Sequence, residues 1–395
     1  MKNIGILGFG VVGSGVAEVI HMNGDKIAKC VGEEVRVKRV LDLRDFPDSI
    51  FADLITHDSE EFFSDDEISI VVETIGGARI AYEYTKRALS AGKSVVTSNK
   101  ELVSTHGVEL MQIAHDHGCS YMFEAAVGGG IPIIRPLHKC LAANRIMRIA
   151  GIVNGTTNYI LTSMRDSGLT YADALKQAQS LGYAEQNPTA DVEGIDAQRK
   201  LSILSSIALD GSYVAPDDIV AEGISKITLN DIIFAEQNGC SIKLLACFNN
   251  PYEGKPSCFV APHMVSKNSI LASVDGVFNA IVVEGNALGE SMFYGQGAGK
   301  LATASAVVGD IIDTALHENK DAHIAQWFVP SSKITCDYDD IVVSAVVRYA
   351  DLNALKDAYR DYEIEDLADD AIIVRNIAHK DLNKIDGAFV IHYMD

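Results

Sequence analysis

The sequence predicts an α/β protein with more than one domain. Its 395 residues exceed the size at which a single hydrophobic core usually stops growing. Apolar, strand-like segments alternate with helical segments over the first third of the chain, which is typical of a parallel sheet covered by helices. A glycine-rich turn directly follows the first of these strands. These features favour an N-terminal α/β domain followed by at least one further domain.

Composition and charge restrict the classes of partner. Hydrophobic residues make up 48% and charged residues 22% of the chain, as in ordinary globular proteins. The formal net charge of -21 opposes binding to nucleic acid and to anionic membranes, because both carry negative charge. The seven cysteines include no C-x-x-C pair and are expected to be reduced core thiols. No secretory leader pattern is present and no apolar run approaches the roughly 20 residues of a membrane span, so we expect a cytoplasmic protein.

A strand, a tight turn and a helix open the chain. In the segment NIGILGFGVVGSGVAEVI, the glycines Gly8, Gly10 and Gly13 form a G-x-G-x-x-G pattern after an apolar strand. The first glycine permits the turn, the second lets the backbone approach a pyrophosphate, and the third allows close packing of helix on strand. The alternative is a glycine turn that serves packing alone. Because the strand-like segments VRVKRVLDL, ISIVVETIGG, KSVVTSN and CSYMFEAAVG follow, we predict a Rossmann dinucleotide-binding domain.

The second strand is predicted to end near Asp42, where the identity of the dinucleotide is often read. The Asp42 carboxylate can accept a hydrogen bond from an adenosine ribose hydroxyl, which favours NAD. Arg44 lies close by and can instead meet a 2'-phosphate, which favours NADP. A third interpretation is that the two side chains pair with each other at the surface. The choice between NAD and NADP stays open.

Lys100 follows the strand predicted in the segment SVVTSNKEL. Ligands of open α/β sheets bind beyond the carboxyl ends of the strands, so the Lys100 ammonium is expected to reach a bound nicotinamide and substrate. The plainer interpretation is a solvated lysine that starts a helix.

Two later segments are also rich in glycine. The segment EAAVGGGIPII leaves the fifth strand through three consecutive glycines, whose carbonyls can hold a hard monovalent cation; a flexible hinge is the alternative. The segment YGQGAGKLATASAVVGDIID places Gly299 at the start of a small-residue helix. This second turn suggests that the chain returns to pack against the first domain.

The run EQNPTADVEGIDAQRKL leads charged residues into a predicted helix. At about 100° per residue, Lys200 lies one turn after Asp196 on the same face as Ile203 and Ile207. Burying such a pair costs several kcal/mol of desolvation per ion, so the two charges must satisfy each other or face a polar cavity. We interpret them as the lining of a pocket, with a purely structural ion pair as the alternative.

Further polar groups stand close to this helix. Glu185 and Asp191 flank a turn at Pro188, and Tyr183 precedes them. Three carboxylates around one site favour a cation, and a substrate ammonium is the natural candidate. A divalent metal is disfavoured there because no histidine accompanies the carboxylates.

In order along the chain, the motifs GFGVVG, SNKEL, FEAAVGGGIPII, GIVNGTTNYIL, GYAEQNPTADVEGIDAQRKL and GQGAG resemble those of the homoserine dehydrogenase family. The resemblance covers about residues 1–320. It implies a Rossmann domain joined to an α/β substrate and dimerisation domain. It also implies NAD(P)-dependent interconversion of L-aspartate 4-semialdehyde and L-homoserine, with a homodimer or homotetramer as the assembly.

The matching motifs imply most of the site residues, and Asp42 and Arg44 are added because they follow the second predicted strand. The residues assigned to the cofactor are Gly8, Phe9, Gly10, Val11, Val12, Gly13, Asp42, Arg44, Thr74, Lys100 and Gly299. Those assigned to the substrate, an amino acid, are Asn154, Gly155, Thr156, Tyr183, Glu185, Asp191 and Asp196. The backbone carbonyls of Glu124, Val127, Gly129 and Ile131 match the family's Na⁺ or K⁺ site. Lys100 and Lys200 resemble the two active-site lysines; Asp196 can orient Lys200, but the sequence does not decide which lysine transfers the proton.

The acidic segment after Trp327 is predicted to alternate strand, helix, strands, a short helical segment and a final strand. It resembles a small α+β module of the ACT type, although Ala350 to Asn353 replace the usual Asp-x-x-Gly entry to the first helix. An oligomerisation or packing appendage is an equal alternative. The predicted domains are therefore 1–135 with about 299–320, then 136–298, and finally 325–395.

Two other function classes share some of these sequence features. An acylating semialdehyde dehydrogenase needs a cysteine nucleophile beside a base, and neither Cys119 nor Cys140 has such a setting. A non-catalytic nucleotide sensor explains the first domain and the acidic segment, but it does not explain a lysine on an apolar helix face.

Overall fold

The computed structural model describes residues 1–317 and 326–395. Over these residues the strands are β1 (Lys2–Leu7), β2 (Val35–Leu41), β3 (Ile55–Thr56), β4 (Ile68–Glu73), β5 (Ser94–Thr97), β6 (Tyr121–Met122), β7 (Ile146–Ile152), β8 (Val220–Ala221), β9 (Cys240–Asn249), β10 (Ser257–Ser266), β11 (Phe278–Gly285), β12 (Gly289–Gln296), β13 (Val342–Arg348), β14 (Glu363–Ala368), β15 (Ala371–Ala378) and β16 (Phe389–Met394). The α-helices over the same residues are α1 (Val11–Met22), α2 (Gly24–Val31), α3 (Ser59–Phe63), α4 (Arg79–Ser90), α5 (Lys100–Asp116), α6 (Gly155–Ser167), α7 (Tyr171–Ser180), α8 (Thr189–Val192), α9 (Ile195–Ala208), α10 (Leu229–Gln237), α11 (Lys300–Leu316) and α12 (Leu352–Ala358).

The chain divides into two compact units. The first unit comprises Met1–Ala143, Ser202–Ala215 and Gly295–Pro330, and the second comprises Asn144–Leu201, Pro216–Tyr294 and Ser331–Asp395. Residues 318–320 of the predicted first domain, and residue 325 of the predicted third, lie outside the described residues.

The first unit is built on a parallel sheet with the strand order β3-β2-β1-β4-β5-β6. This is the order of the doubly wound dinucleotide-binding fold. Strands β1, β4 and β5 are buried along nearly their whole length, and β4 contains the apolar run ISIVV, as expected where helices cover both faces of a sheet. Strand β2, with the sequence VRVKRVL, is partly exposed. The predicted Rossmann fold is therefore confirmed for this unit.

Close backbone approaches in the first unit explain two of its glycines. A Cβ atom on Gly13 would lie 2.0 Å from the carbonyl oxygen of Gly8, so only glycine lets α1 start so near the turn. A Cβ atom on Gly15 would lie 2.8 Å from the carbonyl oxygen of Lys300. The small residues of α1 thus allow α11 to pack tightly against it.

The second unit contains a mixed sheet with the strand order β12-β11-β7-β9-β10-β16-β13-β15-β14, in which β8 also pairs with β10. Most neighbours are antiparallel, whereas β10 pairs in parallel with both β8 and β16. In β9 and β10 every residue except the last is buried. This sheet matches the second α/β domain that the sequence predicts.

The C-terminal residues contribute β13, α12, β14, β15 and β16, with a short 3-10 helix, His379–Asp381, in place of a second α-helix. The side chain of Asp351 caps α12 by accepting hydrogen bonds from the backbone N–H groups of Asn353 and Ala354. The sequence predicts a separate module here, but the pairing of β16 with β10 joins these strands to the larger sheet. The ACT-type resemblance stays a prediction.

All seven cysteines lie in the described residues and are free. Cys240, Cys247 and Cys258 are buried, whereas Cys30 and Cys140 are exposed, so the expectation of core thiols holds only in part. Over residues 1–317 and 326–395, no helix has the length and apolar character needed to cross a bilayer.

Candidate active site

The glycine turn after β1 has the conformation that its sequence predicts. Gly8 has a φ of +87°, a left-handed conformation that favours glycine. The hydroxyl of Thr74, just after β4, donates a hydrogen bond of 2.8 Å to the Gly8 carbonyl oxygen. The turn therefore leads into the N-terminus of α1, where backbone N–H groups favour a bound phosphate.

Asp42 and Arg44, just after β2, form an ion pair at the edge of this turn. The Nε atom of Arg44 lies 3.0 Å from the carboxylate of Asp42, which also accepts a hydrogen bond of 2.7 Å from the backbone N–H of Phe9. Burial alone would raise the pKa of Asp42, but the hydrogen bonds from Arg44 and Phe9 outweigh it and lower the pKa to about 2. The Asp42 side chain is 7% exposed and that of Arg44 is 63% exposed. The arginine thus offers the more accessible charge.

A buried carboxylate at the carboxyl ends of β4 and β5 was missed by the sequence analysis. Glu73 is completely buried, and it accepts hydrogen bonds from the Thr97 hydroxyl at 2.6 Å and the Ile75 N–H at 2.6 Å. Burial raises the pKa of Glu73 to about 7, despite these hydrogen bonds, which lower it. A charged residue at the end of the apolar strand ISIVVE was the available signal.

Lys100 is the first residue of α5, as the sequence predicts for the end of β5. The preceding residue, Asn99, caps this helix by accepting a hydrogen bond from the N–H of Leu102. The Asn99 amide also donates to the carbonyl oxygens of Ile75 and Gly77, which follow β4. The cap therefore fixes the backbone at Lys100 to the neighbouring strand end. Gly299 stands just before α11 with a φ of +134°.

The triple-glycine segment is a buried turn and not an open hinge. Gly128 and Gly129 have φ values of +72° and +56°, and a Cβ atom on Gly129 would lie 2.4 Å from the carbonyl oxygen of Gly297. Val127 and Ile131 are 0% and 2% exposed. The glycines thus allow the backbone to reverse in a crowded part of the first unit.

The carboxylate of Glu124 anchors the chain that follows this turn. It accepts hydrogen bonds from the backbone N–H groups of Ile133 at 2.6 Å, Ile134 at 2.8 Å and Arg135 at 2.7 Å. The backbone N–H of Glu124 in turn donates to Asp310 of α11. Both main chain and side chain of Glu124 are therefore held in place.

In the second unit, Lys200 and Asp196 of α9 are paired across one helical turn. The Nζ atom of Lys200 donates hydrogen bonds of 2.7 Å to the Asp196 carboxylate and 2.6 Å to the carbonyl oxygen of Val153. Lys200 is 9% exposed and Asp196 is 5% exposed. The pair is buried on the inner face of the helix, where the helical spacing places it.

Asn154 connects this ion pair to a second carboxylate. Its side-chain oxygen caps α6 by accepting a hydrogen bond from the N–H of Thr157. Its amide nitrogen then donates to Asp191 at 2.7 Å and to Asp196 at 2.9 Å. Asn154, Asp191, Asp196 and Lys200 thus form one hydrogen-bonded network, called here the Lys200 cluster.

The remaining predicted substrate residues lie in the first turn of α6 and in the turn after α7. Gly155 begins α6, and a Cβ atom there would lie 2.8 Å from the Val277 carbonyl oxygen. The Thr156 hydroxyl donates to the backbone carbonyl oxygen of Tyr183, whose side chain is 44% exposed. Glu185 is exposed. Glu185 and Tyr183 therefore lie at the surface of the turn after α7.

The arrangement can serve a zwitterionic substrate. The carboxylates of Asp191 and Asp196 both accept hydrogen bonds from the Asn154 amide, and they can attract a substrate ammonium. The first turn of α6 presents backbone N–H groups and the positive end of the helix dipole, which favour a substrate carboxylate. Lys200 adds an oriented ammonium that can stabilise or protonate a developing alkoxide.

Comparisons with known proteins identify the family of the chain. The family model for the NAD binding domain of homoserine dehydrogenase matches residues 8–124, and the homoserine dehydrogenase model matches residues 132–312. A homoserine dehydrogenase from Neisseria gonorrhoeae is 42% identical over 355 residues, which cover 85% of this chain and 80% of that protein.

Solved structures are similar to most or all of this chain. The crystal structure of a homoserine dehydrogenase from Thiobacillus denitrificans aligns with a TM-score of 0.90 and 36% identity, covering 100% of this chain and 98% of that chain. A hyperthermophilic archaeal homoserine dehydrogenase in complex with NADPH aligns with a TM-score of 0.67 and 32% identity, covering 80% of this chain and 98% of that chain. The chain belongs to the homoserine dehydrogenase family, oxidoreductases that use a nicotinamide cofactor to interconvert L-aspartate 4-semialdehyde and L-homoserine.

Proposed function

We propose that the Lys200 cluster is the substrate site of this homoserine dehydrogenase and that Lys200 transfers the proton. The observation that carries the proposal is the burial of Lys200 together with its two short hydrogen bonds, to Asp196 and to the Val153 carbonyl oxygen. An ammonium has three N–H groups, and these two contacts use two of them. The third is then available to the substrate oxygen.

Lys200 and Asp196 have different roles in the proposed reaction. A bound nicotinamide cofactor supplies the hydride for the aldehyde carbon. As negative charge grows on the substrate oxygen, the Lys200 ammonium stabilises it and then gives up a proton. Asp196 orients the ammonium through the 2.7 Å ion pair. Lys100 is proposed as the second active-site lysine, on its match to the family motif at the start of α5.

The substrate's own charges are proposed to be held by the surrounding polar groups. Asp191, which shares the Asn154 amide with Asp196, binds the substrate ammonium. Glu185, in the turn after α7, is assigned to the same role on its match to the family motif. Gly155 and Thr156 in the first turn of α6 bind the substrate carboxylate, because helix N-termini favour anions. Tyr183 is assigned to the solvent-exposed side of the pocket, where its backbone carbonyl oxygen accepts a hydrogen bond from the Thr156 hydroxyl.

We propose NADPH as the preferred cofactor. A Cβ atom built on Gly10 would have one described atom within 4 Å, a guanidinium nitrogen of Arg44 at 3.9 Å. The space beside the glycine turn is therefore open, and the positive charge of Arg44 lies next to it. The Asp42 carboxylate already accepts from Phe9 and Arg44, which opposes its use by a ribose hydroxyl. The exposed guanidinium of Arg44 suits a 2'-phosphate. The family relative in complex with NADPH is consistent with this preference.

The glycine turn and Gly299 are proposed to complete the cofactor site. Its members are Gly8, Phe9, Gly10, Val11, Val12 and Gly13 of the turn, Asp42, Arg44 and Thr74 at the strand ends, Lys100, and Gly299 before α11. Thr74 contributes by fixing the Gly8 carbonyl group.

A monovalent cation is proposed at the buried triple-glycine turn. Its ligands would be the backbone oxygens of Glu124, Val127, Gly129 and Ile131, an oxygen-only set that suits Na⁺ or K⁺. In support, the Glu124 carboxylate accepts hydrogen bonds from three backbone N–H groups, which leaves the main-chain oxygen as the more available ligand of this residue. Buried carbonyl groups in such a turn require partners.

The wider assignments are proposals of the same kind. Residues 1–135 with about 299–320 are assigned to cofactor binding, 136–298 to substrate binding and dimerisation, and 325–395 to a small C-terminal module. A cytoplasmic homodimer or homotetramer is assigned on the family resemblance, and the net charge of -21 opposes binding to nucleic acid and to anionic membranes.

Lys200→Met tests the proposal, because methionine keeps much of the side-chain length and removes the ammonium. We expect turnover, followed as the loss of NADPH absorbance on addition of L-aspartate 4-semialdehyde, to fall by about 10²–10⁴-fold. Lys176→Met, at an exposed lysine of α7, is the matched control and should leave turnover unchanged. Fluorescence titration with NADPH shows whether the variant is folded. Turnover within about threefold of the wild type in a variant that binds NADPH normally would remove Lys200 from the mechanism.

A further inference from the structure

A second group of ionisable side chains lies in the second unit, apart from the Lys200 cluster. It consists of Glu222, just after β8, His379, just after β15, and His392 in β16. One potential ligand atom from each residue lies within 4.8 Å of the other two. The Nε2 atom of His379 is 3.8 Å from the Glu222 carboxylate. Three chain segments that are distant in sequence therefore bring an oxygen and two imidazole nitrogens together.

His392 indicates that this group is more than a surface ion pair. It is 5% exposed, and its Nδ1 atom is buried without a hydrogen-bond partner among the described residues. Leaving a buried polar nitrogen unsatisfied is costly, and most such atoms in proteins have a partner. The orphaned nitrogen of His392 is explained if a ligand absent from the polypeptide occupies this position.

The neighbouring aromatic side chains hold the three residues in place. The Tyr338 hydroxyl donates a hydrogen bond of 2.6 Å to the Glu222 carboxylate, and its ring lies 4.0 Å from that of His379. His263 stacks on His392 with ring centroids 5.0 Å apart. Carboxylates and imidazoles that bind metals are commonly oriented by such contacts.

His263 itself is excluded as a ligand by its own contacts. Its Nδ1 atom lies 2.9 Å from the Ala261 carbonyl oxygen, so this nitrogen carries the proton and donates. Its Nε2 atom lies 3.7 Å from the Cys247 thiol. Both ring nitrogens of His263 thus have partners within the protein, and the ring packs against His392.

The protonation states suit metal binding. Burial lowers the pKa of His392 well below its ordinary value, and the nearby His263 and His379 lower it further. Burial also lowers the pKa of His379, although Glu222 and Asp339 oppose the change. Neutral imidazoles keep the lone pairs that a metal ion requires.

We propose that Glu222, His379 and His392 form a binding site for a divalent transition-metal ion of the Zn²⁺ type. Two imidazole nitrogens and one carboxylate oxygen are a common ligand set for Zn²⁺, and three protein ligands leave a fourth position open. The site borders a cleft of about 860 Å³ that Thr228, Asp231, Asn383 and Phe389 also line, so water or a small ligand can reach that fourth position.

A metal at this site would link β8 to the C-terminal strands. Glu222 is fixed next to β10 by a hydrogen bond from its backbone N–H to Val260, whereas His379 and His392 belong to the C-terminal residues. The next residue, Gly223, packs against Val192 and Glu193, since its Cβ position lies 2.3 Å from the Val192 carbonyl oxygen. The ion would therefore stabilise the packing of these segments.

The test uses the full-length, untagged protein after removal of metals with a chelator and desalting. Calorimetric titration with Zn²⁺ should show one saturable ion per chain, and Co²⁺ should give the visible absorption of a tetrahedral nitrogen and oxygen site. We expect Glu222→Gln and His379→Gln each to weaken Zn²⁺ binding at least about tenfold. Both residues are partly exposed, so the variants should fold. His115→Gln, at an exposed histidine of α5, is the matched control and should bind like the wild type.

Thermal unfolding provides a second measurement. Zn²⁺ should raise the Tm of the wild type and of His115→Gln, and it should raise the Tm of Glu222→Gln and His379→Gln much less. Wild-type protein that shows no saturable Zn²⁺ binding would overturn the proposal. Equal affinities in all the variants would also overturn it, and so would the intense sulfur-to-cobalt absorption of a cysteine site.

Discussion

The amide nitrogen of Asn154 donates hydrogen bonds to Asp191 and to Asp196, and Asp196 in turn pairs with Lys200 at 2.7 Å. A side chain that caps α6 thereby fixes the acidic residues of two other helices. Such a network is sensitive to the loss of Lys200, because the buried Asp196 carboxylate then loses the ammonium paired with it.

Lys200→Met should therefore destabilise the fold more than the double change Asp196→Asn with Lys200→Met. The single variant removes the Lys200 ammonium from a buried carboxylate, a loss of about 3–5 kcal/mol in comparable pairs, whereas the double variant removes both charges of the pair. Thermal unfolding of the wild type, both single variants and the double variant measures the difference. A double variant less stable than Lys200→Met would contradict this account of the pair.

Arg44→Ala should change the choice of cofactor. Without the exposed guanidinium, a 2'-phosphate loses its proposed partner, and we expect the KM for NADPH to rise by about tenfold while the KM for NADH changes little. Steady-state kinetics with each cofactor separately provides the measurement. Arg87→Ala is the control, because Arg87 pairs with Glu60 elsewhere in the first unit. A parallel rise for both cofactors would instead assign Arg44 a general structural role.

Glu73 should make stability depend on pH. Its pKa is about 7 in the folded chain, above the ordinary value of 4.5, so folding favours the protonated form. The stabilisation is fully present below pH 4.5 and is lost as the pH rises through 7. Between pH 5.5 and 8.5 this carboxyl should remove about 2 kcal/mol from the free energy of unfolding.

Glu73→Gln should reduce that decline, because glutamine does not ionise. Asp310, whose pKa burial also raises to about 7, contributes a decline of the same sign, so part of the pH dependence should remain. Denaturant unfolding at several pH values makes the comparison, with Glu83→Gln on the exposed side of α4 as the control. Identical pH profiles for Glu73→Gln and the wild type would show that Glu73 is ionised throughout.

The thermal stability of the protein should depend on Na⁺ or K⁺ bound at the buried triple-glycine turn. Replacing both ions by choline at equal ionic strength should lower the Tm, because the buried backbone oxygens would lose their cation while ionic screening stays constant. Scanning calorimetry in the chloride salts of the three cations compares them directly. Equal Tm values in all three would argue against a cation at Glu124, Val127, Gly129 and Ile131.

The features that the sequence predicts well are local in the chain. The turn at Gly8 follows its strand directly, and the pairing of Asp196 with Lys200 follows from the helical period. Asn154 is 37 residues from Asp191 and 42 from Asp196, so its bridging amide depends on tertiary packing that no periodicity reveals.

The other features that the sequence analysis did not predict also depend on tertiary packing. Glu73 appears in the sequence as a single acid at a strand end, and its raised pKa results from burial by neighbouring strands. Glu222, His379 and His392 share no spacing motif, and parallel pairing with β10 brings β8 and β16 close together. The ion pair of Asp42 and Arg44 was one of three open interpretations, because sequence distance alone does not show which partner each side chain chooses.

The parallel pairing of β16 with β10 has a practical consequence for shortened versions of the chain. Cutting the protein before β13 would strip one neighbour from β10 and leave a row of N–H and C=O groups without partners along an apolar strand. Exposed edges of this kind recruit other chains, so a truncated protein should aggregate instead of persisting as a smaller dehydrogenase. The C-terminal strands therefore keep the edge of β10 paired, whether or not they also bind a regulatory ligand.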